Sequence, residues 1–339
     1  MLTPVELGLA AVDDELRRRV EKTILANGSC GQPWLDTGMR PLLTRPGKRL
    51  RPALVFAAAA CGPRFSECDA IACAASVELM HLSSLVHDDL MDDAASRGGL
   101  ATLHVTRGRD AAILGGDHLL AAGGQLAARV SAAAALAWHQ GYSDLCAGQI
   151  HETANRYRLD TRMDEYLAAV SGKTGALMRT ACRLGALCAG LSEVQVAALA
   201  TFGDAFGMVF QLVDDLMDLV STEQLWTKPV GLDLSNGVYT AAVLVSLANP
   251  ASELSALLRP EMSAADVERA HECARRDGVP FVLELIDEYV ALAERVLEVV
   301  PDSPARARLV AMPRVYALRA VETKVAREHS RWIRPASVA

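Results

Sequence analysis

Leu79-Met80-His81-Leu82-Ser83-Ser84-Leu85-Val86-His87-Asp88-Asp89-Leu90-Met91-Asp92 is patterned as a helix. Leu79, Leu82, Val86 and Leu90 recur three and four residues apart and make an apolar stripe, while His81, Ser84, Asp88 and Asp92 gather on another face. The closing pentapeptide, Asp-Asp-Leu-Met-Asp at 88–92, returns unchanged at 214–218. There Val209, Val213, Leu216 and Val220 form the stripe, and Gln211, Asp214 and Asp218 align opposite. Carboxylates four residues apart stack on one side of a helix and repel each other unless a cation separates them. Two such helices facing each other would clamp hard divalent ions. Oxygen-only ligation favours magnesium, which keeps several waters and takes phosphate oxygens as further ligands. An acidic cluster is ordinarily a solvated helix face. An identical repeat, amphipathic in both copies with its acids on one side, argues against that reading.

The rest of the chain is consistent with an all-α protein. Hydrophobic residues make up 51% of the 339 positions and aromatics only 5%, a mix suited to helices packed through small side chains rather than to a β-sandwich. The net charge of −7 leaves no electrostatic footprint for a nucleic-acid partner. The eight cysteines are scattered without a CxxC pair, so they read as reduced, buried small hydrophobes in a cytoplasmic chain. Glu6, Asp13, Asp14 and Glu15 near the N-terminus fit neither a signal peptide nor a transit peptide. Apolar runs such as 54–61 are too short for a transmembrane segment.

Helical periodicity predicts helices over 4–25, 67–92, 110–129, 143–157, 163–170, 175–191 and 193–220, then 264–276, 279–299 and 305–327. Residues 27–47, rich in Gly and Pro, are expected to form a long connection, with Pro52 suited to the first turn of the next helix. Loops are expected over 95–107 and 222–236. No composition break divides the chain, so one domain over 1–339 is the simpler reading.

Several other motifs carry possible chemistry. Lys48, Arg49 and Arg51 follow Pro46 and Gly47. Such a cluster offers a phosphate cradle, although dense charge of this kind is more often plain surface. Gly172-Lys173-Thr174 invites a P-loop reading, but Leu167 stands where the first glycine belongs and no buried strand precedes it. Nucleotide binding is rejected there, and Lys173 is kept as a diphosphate contact at a helix start. His151-Glu152 lacks the second histidine of a zinc helix, which points to a surface or supporting role.

The order of these elements resembles the trans-isoprenyl diphosphate synthases, the polyprenyl synthetase family. It runs from the basic cluster through the first aspartate motif with Arg97 to Lys173-Thr174, then Phe210-Gln211 before the second motif, then Lys228. The paired motifs are the specific part of the match; the others are individually modest. The resemblance implies a helical bundle of the isoprenoid-synthase type around a deep central cavity, usually as a homodimer. It implies joining an allylic diphosphate to isopentenyl diphosphate. Asp88 and Asp92 would then hold magnesium on the allylic diphosphate with Asp89 in support. Asp214 would hold a further magnesium, with Asp215 and Asp218 completing the cluster, for three ions in all. Arg97, Lys173 and Lys228, beside Thr174 and Gln211, would grip that diphosphate, while Lys48, Arg51 and His81 would bind isopentenyl diphosphate.

The chain departs from the family pattern twice. Gly98 stands where a second arginine usually follows Arg97, and Val238 where a lysine usually precedes the threonine corresponding to Thr240. Both departures keep a second reading open, a synthase-like terpene cyclase or a prenyltransferase with another acceptor. A third, a non-catalytic subunit of a partner synthase, sits poorly with two complete aspartate motifs. Ser83 and Ser84, just over a helical turn before Asp88, leave room for a growing chain where aromatic residues would stop it, with Met80 and Leu79 as a soft floor deeper down. Products of twenty carbons or more are expected.

Overall fold

The computed structural model describes residues 3–9, 13–45, 47–226 and 230–333. Fifteen α-helices carry nearly all of the regular structure in them. They are α1 Asp14–Gly28, α2 Pro33–Thr44, α3 Leu50–Ala59, α4 Glu67–Met91, α5 Leu103–Arg107, α6 Arg109–Val130, α7 Ala132–Asn155, α8 Met163–Val170, α9 Ala176–Cys188, α10 Glu193–Val220, α11 Glu223–Trp226, α12 Ala241–Ala248, α13 Leu254–Leu257, α14 Ala264–Val296 and α15 Pro304–Lys324. A single antiparallel hairpin, Ser96–Arg97 with Leu100–Ala101, is the only sheet among the described residues. The fold is all-α, as expected.

Serine starts the main helices. Ser66, Ser131, Ser192, Ser263 and Ser303 each accept a hydrogen bond from a backbone N–H in the first turn of α4, α7, α10, α14 and α15, which satisfies a donor the helix itself leaves unpaired. The two motif-bearing helices lie at the centre. Helix α4 packs on α6, α3 and α9, and α10 packs on α9, α14 and the turn before α9. Both are long and apolar enough to cross a membrane by composition, contrary to the expectation from short apolar runs. However, 72% of each apolar window is buried inside the fold, and that burial accounts for the composition without lipid.

Several element boundaries differ from the periodicity reading: the first helix, expected over 4–25, is α1 Asp14–Gly28, and α5, α11, α12 and α13 form where no helix was expected. Residues 27–47 are not one connection, because α2 forms within them, with Pro33 in its first turn and Leu35, Met39 and Leu43 buried one turn apart. Helix α7 begins at Ala132 rather than near 143, since the alanine-rich stretch after Ser131 propagates helix. Residues 264–296 are one helix that passes through Pro280. Burial of Val279, Val282, Leu283 and Ile286 on the following turn offsets the lost backbone hydrogen bond.

The candidate active site

Helices α4 and α10 end beside one cavity of ≈ 530 Å³. Its wall includes Asp92 from the first aspartate motif and Asp214 and Asp215 from the second, together with Lys173, Thr174 and Gln211. The two copies of the pentapeptide therefore meet at a single hollow. Asp88, a turn before Asp92, is held above the usual carboxylate range by burial and by Asp92 and Glu152, against the pull of Lys173 and Arg97. Burial likewise raises Asp215 to about 7, with Asp214 and Asp218 adding to the rise and hydrogen bonds from Tyr166 and Gln211 opposing it.

A π-helical turn, Ser171–Gly175, carries Lys173 and Thr174 into the cavity between α8 and α9. Such turns widen a helix by one residue and re-aim its side chains. Gly172 makes this one possible, because a Cβ there would fall 2.6 Å from the Gly148 Cα of α7. Lys173 donates to Glu152 at 2.7 Å. Thr174 donates to the Gln211 amide oxygen at 2.7 Å, the Gln211 amide nitrogen donates to Asp215 at 2.7 Å, and the Tyr166 hydroxyl donates to the same carboxylate at 2.5 Å. This chain of bonds fixes Asp215 in place.

The remaining acids have separate tasks. Asp89 is buried and accepts from Arg97 Nε at 2.6 Å. Asp92 accepts from Arg156 at 2.8 Å. Asp218 accepts from the backbone N–H groups of Gly231, Leu232 and Asp233, so it shapes the loop after α11. Sequence reasoning missed Asp233, Tyr166 and Arg156 and set Glu152 aside, yet all four line the cavity. Burial, then Asp218, Asp215, Asp214 and Glu152, pushes Asp233 up to about 9. Its only sequence signal is an acid in the Gly231-Leu232-Asp233 loop, whereas Tyr166 gives none.

Of the residues expected to bind isopentenyl diphosphate, Lys48 is exposed, while Arg51 Nε and His81 Nδ1 are buried without a hydrogen-bond partner among the described residues. Arg49 is structural, clamped by Glu21 and Glu78 at 2.7 Å. Lys228 lies outside the described residues. Ser83 is turned to α6, where its hydroxyl donates to the Gly116 carbonyl at 2.8 Å, so it is not placed to keep a tunnel open. The half-buried Ser84 donates to the His81 carbonyl. Met80 and Leu79 are fully buried, Leu79 against Gly123 of α6.

The polyprenyl synthetase family model matches residues 32–274, across both motifs and the cavity wall. This chain belongs to the polyprenyl synthetase family. As a member it is an enzyme of the prenyltransferase class. It is 34% identical over 310 residues to component 2 of the heptaprenyl diphosphate synthase of Geobacillus stearothermophilus, covering 89% of this chain and 92% of that one. It is 36% identical over 285 residues to the geranylgeranyl diphosphate synthase of Mycobacterium tuberculosis, covering 80% of each. A polyprenyl synthase from Caulobacter crescentus, solved in complex with calcium and isoprenyl diphosphate, superposes with a TM-score of 0.84. It is 25% identical, with 93% of this chain and 97% of that one covered.

Proposed function

We propose that this family member is a magnesium-dependent trans-prenyltransferase that condenses an allylic diphosphate with isopentenyl diphosphate to a linear polyprenyl diphosphate. The observation that carries the reading is the meeting of both aspartate motifs with Lys173 at one cavity. The donor set suits magnesium. Burial raises the pKa of Asp88, Asp215 and Asp233, and neighbouring carboxylates add to the rise, a penalty on the charged forms that a divalent cation removes. Asp88, Asp92 and Asp214 would hold three ions, with Asp89, Asp215 and Asp218 in support. Bound there, magnesium supplies positive charge for the diphosphate as it departs.

The side chains do the rest. Lys173, freed from Glu152 by an incoming diphosphate, and Arg97 hold the allylic diphosphate, with Thr174, Gln211 and Lys228 beside it. Their charge favours the transition state, in which the leaving group gains negative charge, over the ground state. Ala169, Val170 and Val238 in the wall keep water from the cation left behind. Lys48, Arg51 and His81 receive isopentenyl diphosphate, and the departing pyrophosphate takes the proton released by the acceptor. The chain is read as one cytoplasmic domain over 1–339 that works as a homodimer. Ser84, one turn before Asp88, leaves room for products of twenty carbons or more.

The test supplies labelled isopentenyl diphosphate with ten-, fifteen- and twenty-carbon starters and magnesium, then reads product length. A sole fifteen-carbon product would contradict the proposed length, and no elongation would contradict the acceptor. Val238 in the wall, uncharged where the family usually has lysine, favours a terpene cyclase as the second reading. A hydrocarbon or alcohol released from a long allylic diphosphate without acceptor would establish it.

A further inference from the structure

Beside Arg97 lies a cation that the sequence motifs do not announce. Gly98 turns the small hairpin with φ +53. A Cβ added there would land within the Arg45 guanidinium, against Nη2 and 2.5 Å from Cζ. Arg45 lies just past the end of α2, and its Nη1 donates to the Arg97 carbonyl at 3.1 Å. Its own carbonyl accepts from Arg49 Nη2 at 3.4 Å, and Arg49 is in turn held by Glu21 and Glu78. The Arg97 carbonyl thus anchors the guanidinium over the backbone of Gly98, while Arg49 holds the Arg45 backbone.

Two buried nitrogens near Arg97, Arg51 Nε and His81 Nδ1, have no hydrogen-bond partner among the described residues. Groups of this kind are tolerated where a ligand brings the acceptor. His81 is kept neutral by burial and by the charges of Arg51, Arg97 and Arg49, which places these groups in one electropositive neighbourhood. A planar guanidinium added to it matches the paired oxygens of a phosphate.

We propose that Arg45 binds the diphosphate of the acceptor, isopentenyl diphosphate, by laying over Gly98 the guanidinium that position 98 does not carry. The assignment rests on the function proposed above. It makes Gly98 and Arg45 a coupled pair: the glycine supplies the space and the backbone conformation, and the arginine fills both with charge.

Titration calorimetry of the full chain with isopentenyl diphosphate and magnesium tests this. Arg45→Ala should weaken binding by about ten- to a hundredfold, the range for one charged hydrogen-bonding contact. The KM for isopentenyl diphosphate should rise by the same factor, with kcat and the KM for the allylic diphosphate unchanged. Arg45→Gln, which keeps bulk and a donor for the Arg97 carbonyl, should show the same loss if Arg45→Ala misfolds. Gly98→Arg alone should gain nothing, because Arg45 fills the space. Combined with Arg45→Ala it should recover most of the affinity. Unchanged binding in Arg45→Gln, an equal loss for the allylic diphosphate, or no binding by the unaltered chain would each overturn the assignment. Turnover judges the function separately: an unaltered chain that binds isopentenyl diphosphate but elongates nothing refutes the condensation and leaves Arg45 to be decided by the isotherms.

Discussion

Asp214 in the cavity wall and Asp88, a turn before the wall residue Asp92, hold their places at a cost in stability, since burial opposes the charge of Asp88 and Asp214 repels Asp215. Replacing either by asparagine should lower kcat by about a hundred- to a thousandfold, as for loss of one electrostatic contact to a departing group. The melting temperature should stay level or rise, because crowded negative charge is removed. A fall in activity that merely tracks unfolding would count against the assignment. Tyr166→Phe tests the support of Asp215. Losing a buried hydrogen bond to this carboxylate costs about 1.5–3 kcal/mol, and the Asp215 proton should be held still more tightly, since the Tyr166 bond now lowers its pKa. Magnesium activation curves should therefore shift to higher metal concentration. Asp215 was visible in the sequence as part of a repeat. Tyr166 was not, because the bond between them spans 49 residues and nothing local announces it.

At the scale of elements, the π-helical turn determines where Lys173 points. Gly172→Ala would force the turn away from Gly148 in α7. Overpacking of this kind costs about 1–3 kcal/mol, and Lys173 would move with the backbone. The expected outcome is a lower melting temperature together with a higher KM for the allylic diphosphate. A normal KM would show that Lys173 reaches its ligand independently of the turn. Periodicity placed helices on both sides of this segment but left 171–174 between them, because a π turn has no sequence period of its own. It exists only because two glycines let neighbouring backbones touch. The helix inside 27–47 escaped notice for a different reason. Its glycine and prolines speak for a loop, and burial of Leu35, Met39 and Leu43 overrides them.

Over the whole molecule, one buried group ties stability to pH. His271 on α14 is held neutral, its pKa lowered to about 4 by burial and by Arg275, with Nε2 unpartnered among the described residues. A base with a depressed folded pKa contributes its stability in full above the ordinary value near 6.5 and loses it as pH falls toward 4. His271→Gln should flatten the decline in unfolding free energy over that window by at most about 3 kcal/mol, as read by urea titrations at pH 7, 5.5 and 4. An unchanged slope would assign the acid sensitivity elsewhere. At the same scale, the all-α class, the helices bearing the two pentapeptides and the acidic residues at their ends were determined by sequence alone. Apolar spacing and the identical repeat are local patterns that a chain carries before it folds. Only the tertiary structure decided that the repeats share one cavity, that Asp218 bonds the loop at 231–233, that Ser83 faces α6 and that Arg45 covers Gly98. Each of these is a contact between segments distant in the chain, and such contacts are set by packing and by the pairing of buried polar groups.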